Sequence, residues 1–336
     1  MPFKIISIGD YMTGENVHHY GRGIPSKFRN KFRDLISEEV INVISDGDLL
    51  FLNFESALTQ GEKLSGLPID KAVYLAPLET LDLLKSIDIP IIANIANNHF
   101  AQHGPKVTAY TIEQLERQGI IVIGKNNQPV KLAKSGIDFQ IWGVSLVKDK
   151  SIYNSYFKSS YEDLLNNIEK SEKLENEIWV ISIHWGKEYS TLEISKQREL
   201  AFKLSQSGFD IILGHHPHTV QPVSKIGNTW VIYSHGNFLF DQNFSSLTQK
   251  GLVARITLPE REIELFISQQ KNYKVVELMK VSVDELKKFC KSNYSKRQPL
   301  FMRIKMKMEL LTHFYELNFP IIKTFGSRLL KLNRAN

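Results

Sequence analysis

The stretch that decides the fold is Asp210-Ile211-Ile212-Leu213-Gly214-His215-His216-Pro217-His218, an apolar run that ends in a glycine and three histidines. Such a run is typical of a buried strand, and Gly214 predicts a sharp exit at its carboxyl end. His216 and His218 are two positions apart, so both rings point to one side of an extended loop. Because imidazole is the commonest metal-ligand side chain, the stretch indicates either a metal site or a polar turn that only caps the strand.

Other strand-like runs end in the same kinds of side chain. Each run is short and apolar, and each is followed at once by a histidine or an acid. Randomly placed core histidines would not recur at the same end of so many strands. Since ligands bind outside the carboxyl ends of strands in α/β sheets, the recurrence favours one shared site. The residues that follow these other runs are Asp10, Glu55, His99, His184 and His235.

Length and composition bound the class of protein. The chain has 336 residues, of which 42% are hydrophobic and 23% charged, values typical of a soluble globular protein. We expect no membrane-spanning helix, because no apolar run reaches about 20 residues, and no signal peptide, because the chain runs straight into its first strand. Cys290 is the single cysteine, which predicts a reducing compartment. The expected location is cytoplasmic, or peripheral at the inner face of the membrane.

The basic charge is concentrated near the C-terminus. Residues 291–336 contain ten Lys and Arg side chains against Glu309 and Glu316, whereas the whole chain has a net charge of +6. A nucleic-acid-binding domain would be basic throughout, so we expect no nucleic-acid partner. Segments 300–318 and 321–332 mix apolar and basic residues at helical spacing. They predict either helices packed on the core with a solvated basic face, or a surface that contacts anionic lipid or a synthase complex.

Strand-like runs alternate with helical patterns through the first 240 residues, which predicts a layered α/β domain. Three later runs between 252 and 281 have no helices between them and are expected to be antiparallel strands. From residue 284 the pattern is helical, with Ser282 or Asp284 as its N-cap. We therefore predict a domain over residues 1–282 and a basic helical extension over residues 283–336. The strands of the first part are expected near 3–9, 49–54, 89–96, 119–124, 137–145, 178–183, 210–214 and 229–234, and the helices near 27–45, 77–87, 105–118, 160–176 and 194–208.

The residues at the strand ends form a donor set that suits a divalent cation. Carboxylates, an amide oxygen and imidazoles together favour Mn²⁺, Fe²⁺ or Zn²⁺. Two such ions can clamp both oxygens of an in-line phosphoryl displacement. The sequence thus predicts a phosphoryl-transfer site with one or two metal ions per chain. The set comprises Asp10, Glu55, Asn97, Asn98, His99, His184, His216 and His218.

Six ordered blocks of sequence contain these residues: Gly9-Asp10, Asn53-Phe54-Glu55, Ala96-Asn97-Asn98-His99, Ile183–Tyr189, Gly214–His218 and Tyr233–Phe238. They resemble the motifs of the CapA family of poly-γ-glutamate capsule biosynthesis proteins, a branch of the calcineurin-like metallophosphoesterase superfamily. The resemblance implies a four-layer α/β/β/α sandwich and metal-dependent hydrolysis of a phosphate ester. It also implies a role in the synthesis or export of a capsular or surface polymer, with a phosphorylated or polymeric anionic substrate.

The resemblance implies a role for each site residue as well. The first metal would be bound by Asp10 and His218, and Glu55 would bridge the two metals. The second metal would be bound by Asn98, His184 and His216. His99 would act as the general acid that protonates the leaving oxygen.

The remaining polar residues are expected to support the site or to lie beside it. Ligand orientation or contact with the substrate would come from Asn97, Glu188, His235 and Asn237. Candidate phosphate contacts are Arg22, Lys63 and Lys187. His103 and His215 are expected to be neighbours of the site without a ligand role.

Three positions depart from the family pattern. Met12 stands where the superfamily usually has a histidine, two residues after the first aspartate. Phe100 replaces the acid that often follows the Asn-His pair, and Gln102 stands where CapA proteins commonly have an aspartate. These departures leave a second interpretation open: a non-catalytic accessory subunit of a capsule polymer synthase or export complex, which keeps the site to bind metal or polymer.

Overall fold

The computed structural model of the chain describes residues 2–29, 31–60, 72–148, 155–168 and 171–312. Lys63, His313 and the predicted segment 321–332 lie outside the described residues. The strands in chain order are β1 (Phe3–Tyr11), β2 (Leu49–Phe54), β3 (Ala57–Leu58), β4 (Leu75–Ala76), β5 (Ile91–Asn94), β6 (Ile121–Ile123), β7 (Val130–Lys134), β8 (Ile137–Ser145), β9 (Glu177–His184), β10 (Ile211–His215), β11 (Val223–Ile226), β12 (Thr229–Ile232), β13 (Asn237–Leu239), β14 (Lys250–Leu258), β15 (Glu262–Lys271) and β16 (Lys274–Val281).

The helices lie mostly between these strands, as the alternating pattern predicts. The α-helices are α1 (Ile24–Phe28), α2 (Glu38–Ser45), α3 (Asp82–Lys85), α4 (Pro105–Arg117), α5 (Tyr161–Ile168), α6 (Ser195–Gln206), α7 (Val283–Ser292) and α8 (Gln298–Thr312), with 3₁₀ turns at Phe32–Leu35 and Leu78–Leu81. No helix within the described part of the chain is long and apolar enough to cross a membrane.

Two sheets form the middle layers of the fold. Among the described residues, the first sheet has eight strands in the order β16-β15-β14-β1-β2-β5-β6, with β13 paired to the end of β1. The second has six strands in the order β11-β12-β10-β9-β8-β7, and β3 pairs with β4 in a separate ribbon. The strands at the centre of both sheets are parallel, so their carboxyl ends point the same way within each sheet.

Three apolar cores separate the four layers. Alternate residues of a strand enter different cores: Ile5 of β1 packs between the two sheets, whereas Ile6 packs on the helical side of the first sheet. In the second sheet Val180 faces the inter-sheet core, and Ile181 packs on the outer side with residues of α5 and α6. Strands buried on both faces explain the continuous apolar runs of the sequence. The four-layer α/β/β/α fold is thereby confirmed.

The differences from the predicted elements are local. The helix expected over 27–45 is interrupted, because Arg29 adopts a left-handed backbone with φ of 45° and a new helix begins only after Ser37, whose side chain accepts a hydrogen bond from Val40 N–H. The edge strands β7 and β11 were not predicted. Each is short and partly exposed, so neither forms an apolar run.

The C-terminal helices pack on the domain rather than away from it. Ser282 is the N-cap of α7, as predicted, and forms a reciprocal capping box with Glu285. Leu286 and Cys290 of this helix are completely buried in the core between the two sheets. The boundary at residue 282 stays a prediction, although α7 contributes to the same core as the strands before it.

Candidate metal centre

The centre begins where the parallel strands β1 and β2 end. Asp10 pairs in register with Asn53, so the two side chains lie on the same edge of the first sheet. Glu55 follows Asn53 by two residues and points to the same side. The amide nitrogen Nδ2 of Asn53 is 2.9 Å from Asp10 Oδ1 and 3.0 Å from Glu55 Oε2. One amide therefore holds two buried carboxylates together.

Glu55 has one oxygen without a hydrogen bond. Its Oε1 atom is buried and has no partner among the described residues. It lies 3.8 Å from His99 Nε2 and 3.9 Å from the Nε2 atoms of His184 and His218. Burial, with the nearby charge of Asp10, raises the pKa of Glu55 well above its usual value. A buried carboxylate oxygen among ring nitrogens is what a bound cation would satisfy.

His216 and His218 are brought to the centre by a strained turn, not by an extended loop as predicted. Strand β10 continues through His215, and His216 and His218 both have left-handed backbones, with φ of 97° and 55°. Such conformations cost on the order of 1–3 kcal/mol and cluster at functional sites. Tyr74 and Tyr189, which contact His99 and His218, also have positive φ.

His218 is oriented by Asn237. The amide nitrogen of Asn237 donates to Thr248 O and Gln242 Oε1, which turns its oxygen toward His218 Nδ1 at 2.9 Å. His218 must then donate from Nδ1, and its Nε2 faces Glu55. Burial opposes protonation, but the charges of Glu55 and Asp10 outweigh it and raise the pKa of His218 to about 9. The carboxylates of Glu55 and Asp10 therefore favour a positive charge at this position.

His184 and His216 supply neutral imidazoles. Their ring centroids are 4.7 Å apart, and burial is the main reason that the pKa of each is lowered, to about 4 for His216. His184 Nε2 lies 2.8 Å from Asn98 Oδ1, and His216 Nδ1 is buried with no partner in the described residues. Neutral imidazole is the form that binds metals.

The described residues contain two groups that can hold a metal ion. One comprises Asp10, Glu55 and His184, and the other Glu188, His216 and His218; within each group the ligand atoms lie within 4.8 Å of one another. This pairing differs from the assignment implied by the resemblance. Here Asp10 shares a group with His184, and Glu188, which was expected only to support the site, offers a ligand atom.

His99 lies at the rim of the centre. Its ring stacks on Tyr74 with centroids 3.6 Å apart, and its Nδ1–H donates to Gln102 Oε1 at 3.3 Å. Gln102, at the position where the resemblance implies an aspartate, is therefore the partner that orients this ring. Burial and the charge of His218 lower the pKa of His99 to about 3, so the free ring is neutral at pH 7.

Comparison with known proteins assigns the chain to a family. Residues 4–242 match the family model of the bacterial capsule synthesis protein PGA_cap. The chain belongs to the PGA_cap family. It is 28% identical over 260 residues to the PGA biosynthesis protein CapA of Bacillus subtilis (strain 168), covering 73% of this chain and 65% of that protein. It is 27% identical over 264 residues to the capsule biosynthesis protein CapA of Bacillus anthracis, covering 73% and 62%.

The chain thus spans less than two thirds of the length of these two curated relatives. A solved structure, TT1561 of Thermus thermophilus, aligns with 79% of this chain and 98% of its own at 11% identity. Its TM-score of 0.47 is too low to add to the family assignment.

Two histidines of this PGA_cap member lie beneath the centre. His215 donates from Nδ1 to Asp10 Oδ1 at 3.0 Å. Burial alone would raise the pKa of Asp10, but its hydrogen bonds with His215 and His218 outweigh burial and hold that pKa well below its usual range. His235 stacks on His215 with centroids 5.0 Å apart. Its Nδ1 donates to Gly214 O and its Nε2 accepts from Ser7 Oγ, so it is fully occupied inside the fold. This geometry supports Asp10 through His215 and does not reach a substrate.

Asn97 holds the turn that presents Asn98 and His99. Its oxygen accepts the backbone N–H groups of His99 and Phe100, and its nitrogen donates to Phe54 O. It is completely buried, and its nitrogen also donates to Asn53 Oδ1 at 3.2 Å, so it supports the site without being a ligand. Met12, two residues after Asp10, is also completely buried. Its apolar side chain replaces the histidine that the resemblance implies at this position.

Asn53, Tyr74 and His215 contribute to the site but were not predicted to do so. Of the candidate phosphate contacts, Arg22 and Lys187 fall within the described residues. Asn53 could have been found from its spacing, two residues before Glu55 at the end of β2, whereas Tyr74 gave no signal in the sequence. His215 was expected to be a neighbour of the site without a ligand role; it lies there and donates a hydrogen bond to Asp10, a supporting role that was not predicted. Arg22 contacts His18 O at 3.4 Å, and Lys187 is exposed directly before Glu188.

Proposed function

We propose that this PGA_cap member is a metal-dependent hydrolase of a phosphate ester, acting in the synthesis or export of a capsular or surface polymer. The observation that carries the proposal is the unpartnered Oε1 atom of Glu55, buried within 4 Å of three imidazole nitrogens. A chain that kept this oxygen buried for stability alone would have given it a donor. Family membership supports the capsule context.

The donor set fits Mn²⁺, Fe²⁺ or Zn²⁺, because it combines carboxylates with neutral imidazoles. Asp10, Glu55 and His184 would hold one ion, and Glu188, His216 and His218 a second. An ion held there supplies Lewis-acid stabilisation of the charge that develops on phosphoryl oxygens. The cytoplasmic location stays a prediction.

His99 is the residue placed to handle a proton. Its Nε2 atom faces Glu55 and Asn98, while its Nδ1–H is fixed by Gln102. The free ring is neutral, so it must gain a proton before it can give one to a leaving oxygen. An anionic phosphate group beside the ring favours the protonated form and offsets the effect of burial on the pKa.

The direct test is hydrolysis of an aryl phosphate monoester and diester in the presence of Mn²⁺. We expect His99→Ala to lower kcat by about 10²–10⁴-fold while metal stays bound, and His184→Ala to lose metal and activity together. His103→Ala, a change beside the site that removes no proposed ligand, should keep activity within about threefold. Equal activity of the wild type, His99→Ala and His184→Ala would contradict the proposed site.

The accessory-subunit interpretation has its own supporting observation. Met12 is buried where the superfamily usually has a histidine, and Gln102 gives His99 an amide partner instead of a carboxylate. A neutral partner stabilises a protonated imidazole less than a carboxylate does. Wild-type protein that binds metal but hydrolyses neither ester would favour this second function.

A further inference from the structure

The helix α8 forms one wall beside the metal centre. Met302 is buried in an apolar cluster with Tyr189 and Phe244, and the Tyr189 hydroxyl lies 3.3 Å from Met306 Sδ. Arg303 Nη2 is 3.3 Å from Oε2 of Glu188, whose carboxylate belongs to one of the two groups that can hold a metal. This helix lies beyond residues 4–242. The part of the chain outside the family match therefore directly contacts the loop between β9 and α6, residues 185–194, which we call the site loop.

A cavity of about 430 Å³ lies between that loop and the segment that leads into α8. Its wall includes the cations Lys187, Arg198 and Lys296, with Glu193 as its acidic residue. Arg198 Nη1 is 3.2 Å from Glu193 Oε1, so this pair neutralises itself. Lys187 and Lys296 have no acidic partner within 4.0 Å in the described part of the chain. The cavity therefore has two uncompensated positive charges.

The cavity also contains a free acceptor and an aromatic face. Glu193 Oε2 is buried without a hydrogen-bond partner among the described residues, and it would accept from a hydroxyl or amide group. Tyr294 lines the same cavity and is 41% exposed. A matching ligand has an anionic group for the lysines and a neutral donor for Glu193.

We propose that this cavity is a subsite for a second anionic group of the substrate, a carboxylate or a phosphate that lies beside a hydroxyl or amide donor. The inference rests on the proposed function, since it requires that the metal centre holds the reacting phosphate. Lys187 directly precedes Glu188, so the cavity and the centre are contiguous along one loop. The substrate is then larger than a simple monoester, and the segment Tyr294–Pro299 helps to select it.

The test measures binding of two probes to the metal-free full chain by calorimetry at low salt, so that no ion in the metal centre holds either probe. The probes are glucose 6-phosphate for a phosphate source and the dipeptide glutamyl-glutamate for a carboxylate source. The double variant Lys187→Ala/Lys296→Ala should weaken the better probe by about tenfold, because charge-assisted contacts are lost. Lys287→Ala/Lys288→Ala removes the same charge from exposed positions on α7 and should change the dissociation constant by less than about twofold.

The variant His184→Ala separates this proposal from the proposed function. It removes a metal ligand, so its loss of hydrolysis tests the metal centre, whereas probe binding in the cavity should persist. Equal affinities of the two lysine variants, absence of binding by the wild type, or loss of binding in His184→Ala would overturn the subsite. The probe that binds more tightly identifies the anionic group.

Discussion

At the residue scale, the centre combines features that a purely structural core avoids. Glu55 buries an unpartnered carboxylate oxygen, and His216 and His218 adopt left-handed backbones without being glycines. Each feature is unfavourable for folding, and together they converge within one site. Several local rules broken together in one place indicate a functional site.

Asn237 sets the ligand geometry of His218, so its removal should weaken metal binding without unfolding the protein. In Asn237→Ala the Nδ1–H of His218 loses its acceptor at 2.9 Å. We expect metal affinity to fall by about 10–100-fold, as is typical when such orienting partners are removed. A Mn²⁺ titration followed by enzyme activity or calorimetry measures the change. Asn228→Ala, in an exposed turn, is the control, and equal affinity of the two variants would refute the orienting role.

At the element scale, the site depends on how closely strand ends pack. Gly214 lies near the end of β10 and packs against Trp185 and against Tyr233, the residue after β12. A Cβ atom there would lie 2.1 Å from Tyr233 O and 2.6 Å from Trp185 Nε1. Gly214→Ala should therefore destabilise the fold by about 1–3 kcal/mol and displace His215 and His216.

The matched control is Gly119→Ala, where nothing lies within 4 Å of the new Cβ and only the φ of 76° opposes the change. Urea unfolding should show a loss of about 1 kcal/mol for this variant. Metal affinity should fall only for Gly214→Ala. If the two variants bound metal equally, the packing of this strand end would not position the ligands.

A second element-scale prediction concerns Glu177 at the start of β9. Its carboxylate accepts hydrogen bonds from Gln140 Nε2 of β8, Trp179 Nε1 and Leu174 N–H. Burial opposes ionisation, but these hydrogen bonds outweigh it and lower the pKa of Glu177 from 4.5. The stabilisation is thus present above the unfolded pKa and is lost as the pH falls through the lowered folded value.

Glu177→Gln should therefore be less stable than the wild type by about 1–3 kcal/mol at neutral pH, and the difference should shrink in acid below the unfolded pKa. Urea unfolding at the two pH values measures this, with the exposed Glu175→Gln as control. A difference that does not depend on pH would contradict the assigned hydrogen bonds.

The elements were predictable where one physical signal dominates. The buried strands β1, β2, β9 and β10 form uninterrupted apolar runs, and the sequence places them within a few residues of their observed bounds. The turn after β10 was not predictable, because left-handed histidines are set by tertiary contacts rather than by local preference. The same holds for Tyr74 and His215, whose roles depend on partners distant in the chain.

At the scale of the whole molecule, α8 has two faces. Met302 and Met306 pack toward the site loop, whereas Leu300, Phe301, Ile304 and Met308 are 46–64% exposed. Basic side chains lie along the same helix, including Lys305 and Lys307. An exposed apolar face beside basic residues is complementary to an anionic lipid surface.

We propose that this face contacts anionic membranes, and vesicle co-sedimentation tests it. The chain should sediment with phosphatidylglycerol vesicles and much less with phosphatidylcholine vesicles. Leu300→Ser/Phe301→Ser should lower the vesicle partition coefficient by about 100-fold or more, since each large apolar side chain contributes about 1.5–3 kcal/mol when it is fully buried. The exposed change Phe202→Ser, on α6, is the control. Equal sedimentation with both lipids would contradict the proposal.

The central claim is that the buried carboxylates and imidazoles form a metal centre, and a metal count by elemental analysis tests it most directly. After dialysis against Mn²⁺ and removal of free ions, the wild-type chain should retain about one to two ions. Glu55→Gln keeps the size of the side chain but removes the carboxylate that lies near the ring nitrogens of His99, His184 and His218. This variant should retain less than about half as much metal as the wild type. Retention of no more metal by the wild type than by Glu55→Gln would contradict the account.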